Sequence, residues 1–238
     1  MPHIEYLSAA SLEMPRTPDD LYDWVMGKCD ELGSTLEAKT FARSGALLAK
    51  TFYDEIFPLA IYVRAKYAGR QDVFIRPNLG NDNYDAEICI GLGPKAETSF
   101  VETTYSKDGY DDALRIEYLT KNGHANLTGP LTVNGRQGHA RRTIEIESEA
   151  IDRRELVARH IRFVEERIRA KSVASYGSSH VLLVAVDDYL PFRGALAAAE
   201  LHEAIISFLK KLTLNFSSVV VVGVAGTVYF SYPLLSVK

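Results

Sequence analysis

The sequence predicts an α/β chain. Its core is a single mixed sheet, entered through an antiparallel three-strand meander, flanked by helices and carrying an inserted hairpin arm. Three observations predict this. The segments QDVFIRP, NYDAEICIGL and SFVETTYS are short, β-branched or aromatic, and separated by turn residues, including Pro77, Gly80-Asn81-Asp82-Asn83 and Gly93-Pro94. The run HVLLVAVDD reads as a buried central strand. Amphipathic helical stripes precede and follow these strands.

Taken in order, residues 1–18 read as an irregular lead-in broken by Pro15 and Pro18, before a helix over LYDWVMGKCDEL that Gly33 should stop. The segment from Gly45 to Gly69 is rich in helix formers, and Pro58 should kink it or split it near Ile56. Three strands follow near 71–77, 83–91 and 99–105. Their connections are too short for a crossover helix, so antiparallel pairing is expected. YDDALRIEYL is a short helix with Asp111 and Asp112 in its first turn, where the helix dipole favours them. Residues 124–147 should form the arm, with Asn134-Gly135 as a two-residue turn at its tip. A helix over 149–171 carries the stripe Ile151, Val157, Ile161, Val164 and Ile168. The strand 181–187, a helix over ALAAAELHEAIISFLKKL and the strands SSVVVVGV and TVYFSY complete the chain. No internal repeat or long linker forces a boundary. The expected organisation is a lead-in and helix over 1–44, then a core over 45–238 with the hairpin inserted at about 124–147.

The composition is that of an ordinary globular protein. Across 238 residues, 47% are hydrophobic and 24% charged, which excludes collagen-like, low-complexity and wholly disordered classes. No apolar run reaches the roughly 18 residues of a membrane helix. The N-terminus lacks a basic start and apolar block, so no signal peptide is read and a cytoplasmic location is expected. Cys29 and Cys89 are then two free thiols in a reducing compartment. The net charge of −4 argues against bulk adhesion to nucleic acid but leaves a local patch open.

Several motifs fail on inspection. Gly91-Leu92-Gly93 lacks the third glycine and following helix of a dinucleotide loop, and Ala49-Lys50-Thr51 lacks the glycines of a phosphate loop. The histidines show no metal-ligand spacing, and neither cysteine sits in a nucleophile signature.

What remains is acidic. From Asp72 to Asp112 nine carboxylates face three basic residues. Asp85 and Glu102 fall inside expected strands, among Tyr84, Ile88, Phe100 and Val101. Burying a lone carboxylate is costly, so such residues are paired or bind a metal. Two carboxylates on adjacent strands suit Mg²⁺ or Mn²⁺, which takes one or two protein oxygens and keeps several waters. The plainer alternative puts Asp85 and Glu87 on a solvated face, pairs Glu102 with Arg76, and leaves Asp108, Asp111 and Asp112 as helix N-terminal acids.

The order helix, meander, helix, buried strand, helix, strand resembles the core of the PD-(D/E)XK, restriction-endonuclease-like superfamily. That family carries Asp on its second core strand and Glu-x-Lys on its third. Asp85 matches the first position, and Glu102-Thr103-Thr104 the second, with Thr104 where lysine is usual. Glu55 is the nearest match to the acid often supplied by the first helix. The resemblance, over about residues 45–230, implies a divalent-metal-dependent nuclease that hydrolyses phosphodiester bonds in nucleic acid. Asp85 and Glu102 would hold the metal, Glu55 would assist, and Thr104 would contribute only a hydroxyl. Lys107, Lys121 and Lys171 are candidates for the missing cation.

From Arg136 to Lys171 the balance turns basic, with ten cationic residues against seven acids. Arg136, Arg141 and Arg142 are read as nucleic-acid contacts, and Glu155, Arg159, Glu165 and Arg169 as an ion-paired helix face. The second functional reading is a catalytically silent relative used as a binding or assembly module, with a second copy or another protein as partner. No membrane partner is expected. A lysine reaching both carboxylates would favour the first reading, and its absence the second.

Overall fold

A computed structural model describes residues 5–126, 128–135, 142–173 and 176–234. The lead-in holds a short helix, α1 (Ala9–Leu12), rather than irregular chain alone; the Ser8 and Ser11 side chains close a reciprocal capping box around it. Helix α2 (Pro18–Ser34) starts where Thr17 accepts the Asp20 N–H and Pro18 fills a first-turn position. Gly33 does not stop it. Thr35 ends α2 and also caps a helix the periodicity did not reveal, α3 (Leu36–Arg43).

Helix α4 (Leu47–Thr51) runs into a π-helical turn, Phe52–Ile56, and then α5 (Phe57–Tyr67). The expected break near Ile56 is present. Pro58, in the first turn of α5, has no N–H to continue the upstream ladder, and the chain accommodates it with one wide turn.

The strands β1 (Val73–Pro77), β2 (Ala86–Ile90) and β3 (Glu97–Tyr105) form the antiparallel meander. Helix α6 (Gly109–Asn122) follows, with the Asp108 carboxylate accepting the N–H groups of Tyr110 and Asp111 and Gly123 ending it in the left-handed conformation. Strands β4 (Leu131–Asn134) and β5 (Thr143–Ile146) make a separate two-stranded sheet, the hairpin insertion. Its register pairs Asn134 with Thr143, so Asn134-Gly135 is not the two-residue turn expected at the tip. The Arg115 guanidinium donates to the carbonyls of Asn126 and Gly129, tying the base of the insertion to α6.

Helix α7 (Arg153–Ser172) begins after its Asp152 cap, leaving Ile151 outside. Then come β6 (His180–Val186), α8 (Ala195–Leu209), β7 (Ser218–Gly223) and β8 (Tyr229–Pro233). The six-stranded sheet has the order β1-β2-β3-β6-β7-β8, with β3, β6 and β7 parallel and the other pairings antiparallel. This is a mixed α/β sheet flanked by helices.

Both faces are buried. On one, Val25 and Leu21 of α2 and Leu59, Tyr62 and Val63 of α5 pack on Ile75, Ile88, Val101, Val181 and Leu183. On the other, Val164 and Ile168 of α7 and Leu201 and Ile205 of α8 pack on Leu182, Val184 and Val221, with Ile161 at the margin. Leu7 and Leu12 of the lead-in belong to the first of these clusters. The outer edge of β1 is partly covered: Arg16 and Ile75 exchange both backbone hydrogen bonds.

Candidate functional site

The site grows from the register of β2 and β3. Ala86 pairs with Val101. Asp85 precedes the one and Glu102 follows the other, so the two acids lie at the same end of the paired segment, on neighbouring strands. Asp85 lies one residue outside β2. Its N–H donates to the Val101 carbonyl at 2.8 Å, and its Oδ2 accepts the Thr103 N–H at 2.6 Å. The side chain thereby takes over a hydrogen bond the ladder would otherwise supply, and its position is fixed.

Glu102 is only 7% exposed. Its carboxylate is ion-paired with the Lys171 ammonium at the C-terminal end of α7, not with Arg76, which faces Glu87 across β1 and β2. Lys171 is 69 residues away in sequence, so only the packing of α7 on the sheet brings it in. Of the three lysines considered, Lys107 instead bridges Asp54 at 2.8 Å and Asp112 at 2.8 Å, and Lys121 is exposed on α6.

Glu55 is delivered by the π-helical turn, which packs against β3. Burial pushes its carboxyl up, and the charges of Lys50 and Asp54, then of Glu102 and Lys171, act on it as well. Asp85 is pushed up to about 7, first by burial and then by the neighbouring charges of Glu102 and Glu55, against the pull of the Thr103 N–H and Lys171. Three carboxylates and one ammonium thus share a poorly solvated space. Thr104 is two residues past Glu102, on the same face of β3, and half-buried. It sits on the wall of a cavity of about 860 Å³, together with Glu55 and Thr103.

Two further residues adjoin the cluster without a sequence signal of their own. Burial and Glu102 push the Tyr176 hydroxyl up, and the Tyr176 ring lies 5.7 Å from the His180 ring. His180 Nδ1 accepts the Gly177 N–H at 3.2 Å, which assigns the proton to Nε2; that atom is buried without a partner among the described residues. No spacing in the sequence ties the approach to β6 to Glu102.

The expected basic contacts separate from this cluster. Arg136 and Arg141 lie outside the described residues. Arg142 donates to both carboxylate oxygens of Glu117 on α6 at 2.8 Å, an ion pair that fixes the insertion rather than presenting a free cation. On α7, Arg159 and Glu155 approach at 4.0 Å. Arg169 lies over the Phe208 ring instead of pairing with Glu165.

The donor chemistry suits a hard divalent cation: hard oxygens only, two of the carboxylates on neighbouring strands, with a like-charge repulsion a cation would relieve. Among the described residues, no group of three or more His, Cys, Asp or Glu side chains is placed so that it could hold a metal ion. No protein-family model, curated protein or solved structure matches this chain.

Proposed function

We propose that this chain is a divalent-metal-dependent phosphodiesterase acting on nucleic acid, with a restriction-endonuclease-like core. The observation that carries the reading is the convergence of Lys171 on Glu102 beside Asp85 and Glu55. The third strand lacks the lysine the resemblance calls for, and a lysine from α7 stands at the same carboxylate.

Asp85 and Glu102 would hold the Mg²⁺ or Mn²⁺ ion, which when bound polarises a phosphoryl oxygen and lowers the pKa of a water. Glu55 adds negative charge that favours the cation. Lys171 offsets charge on the phosphate and orients the attacking water, a task threonine cannot perform electrostatically. The Thr104 hydroxyl contributes one hydrogen bond.

One observation favours the second reading, a catalytically silent binding or assembly module. The Glu102–Lys171 ion pair already neutralises a carboxylate the metal would need. Calorimetric titration with Mn²⁺ separates the two. The first reading expects a heat of binding and a rise in melting temperature by mass action. It expects Asp85→Ala and Glu102→Ala to lose both. Lys171→Ala should keep metal binding while hydrolysis falls about 100-fold or more, the scale of losing one transition-state contact. No heat up to millimolar Mn²⁺ would leave the binding module as the better reading.

A further inference from the structure

The cavity of about 860 Å³ lies beyond the C-terminal end of β3, walled by α3, α4, the π-helical turn and α6. Its size falls within the roughly 300–1,000 Å³ of sites that enclose a small ligand. A base-paired helix needs an open groove and does not enter such a space. One or two unpaired nucleotides do. Resting on the phosphodiesterase reading above, we infer that this cavity receives an unpaired stretch of the nucleic acid next to the scissile bond, so that the substrate is single-stranded or frayed rather than continuous duplex.

Three features support this. The first is continuity: Glu55, Thr103 and Thr104 belong to both the acidic cluster and the cavity wall. A strand crossing the cluster therefore runs directly into the cavity.

The second is charge. Most of the cavity's carboxylates are already neutralised: Lys107 bridges Asp54 and Asp112, and Arg142 holds Glu117. Arg43, at the end of α3, and Lys121, at the end of α6, line the cavity and have no ion-pair partner among the described residues. Two uncommitted cations at a cavity where Glu55 is the one carboxylate without an ion-pair partner among the described residues suit backbone phosphates.

The third is the wall. Tyr53 and Tyr105 supply aromatic surface, and Ala42, Gly45, Ala49 and Ala113 leave room for a base. The Thr103 Oγ1 is buried there with no hydrogen-bond partner among the described residues.

The test is fluorescence anisotropy on the full chain in EDTA, where no hydrolysis occurs. A labelled single-stranded oligonucleotide is compared with the same sequence as a blunt duplex and as a duplex with a single-stranded tail. The single strand and the tailed duplex should bind at least tenfold more tightly than the blunt duplex. Arg43→Ala with Lys121→Ala should weaken single-strand binding about tenfold. It should also make the slope of log affinity against log salt shallower by about 1.4, the value for two phosphate contacts on a single strand. Ala113→Trp, which fills the cavity from an exposed position on α6, should remove the single-strand preference. A melting temperature equal to wild type shows that each variant is folded. Blunt duplex binding as well as single strand, or no binding of any of the three, overturns the inference. Mn²⁺ calorimetry reports on the catalytic reading separately. A heat of metal binding with no strand preference leaves that reading standing and the cavity assignment lost. A strand preference without metal binding leaves a cavity that holds unpaired nucleic acid and does not cut it.

Discussion

Asp54 and Lys107 show how a charged contact near the cluster serves the fold. Burial alone would push Asp54 up, but hydrogen bonds from Lys107 and Lys50 more than reverse this and hold it below the usual carboxylate range. Lys107 is correspondingly raised: burial works against its charge, and Asp112 and Asp54 outweigh burial. A carboxylate with a depressed folded-state pKa adds stability above its unfolded value of about 3.9, and that stability is lost as pH falls through the lower folded value. Asp54→Asn should therefore cost about 1–3 kcal/mol at pH 7, the scale of a charge-assisted hydrogen bond. The difference from wild type should vanish as the acid limb is approached. Urea titrations at pH 7 and pH 3 measure both, and an equal deficit at the two pH values would contradict the assignment. Glu55, next in sequence, shifts the other way because burial raises it and no cation among the described residues bonds to it. The extra residue in the π-helical turn sets these two neighbours into different surroundings. The sequence singled out Glu55 but not Asp54, and could not tell which of the two would be paired. That depends on Lys107, which lies 53 residues downstream of Asp54.

At the scale of elements, the apolar run ending in Asp187-Asp188 has a consequence that its hydropathy does not reveal. Asp188 is fully buried at the end of β6 and accepts hydrogen bonds from Ala225 N, Thr227 N, Thr227 Oγ1 and Val228 N, at 2.6–3.1 Å. It thereby builds the turn between β7 and β8. A side chain at position 223 would overlap this carboxylate, so Gly223 is required by close approach. Asp188→Asn would set an amide donor against a ring of donors. A loss of about 2–4 kcal/mol is expected by urea denaturation, and a loss below 0.5 kcal/mol would show that the turn holds without it. Much at this scale was legible: the meander, the buried strand and the long helix α7 all follow from their periodicities. Helix α3 was not, because Thr35 serves two helices at once and leaves no loop to mark the boundary. The hairpin turn was misread because Asn-Gly specifies a local conformation, while the register is set by Ile144 and Ile146 facing Val133 and Leu131.

At the scale of the molecule, the candidate site depends on a sheet covered on both faces. Asp85 and Glu102 were found from sequence because each lies on or beside a recognisable strand. Lys171 could only be one of several lysines until α7 was packed, since contact across 69 residues leaves no trace in local pattern. The strand that organises this packing is β6, whose seven residues are all buried. Its consecutive side chains alternate between the two clusters: Leu183 joins α2 and α5, while Leu182 joins α7 and α8. Neither cluster shields the other's face from water, so a cavity on either side is felt in full. Leu182→Ala and Leu183→Ala are each expected to cost about 2–5 kcal/mol, measured by urea titration with an unchanged denaturant slope. The effects on the site should differ. Leu182 is the register partner of Glu102 and lies on the side from which α7 presents Lys171. On the metal-binding reading, its truncation should loosen the packing that holds Glu102 in place and so change Mn²⁺ affinity. Leu183→Ala, on the opposite face, should leave that affinity within about twofold while lowering stability as much. If Leu183→Ala shifts metal affinity and Leu182→Ala does not, the helix on the α7 side is not what positions the site.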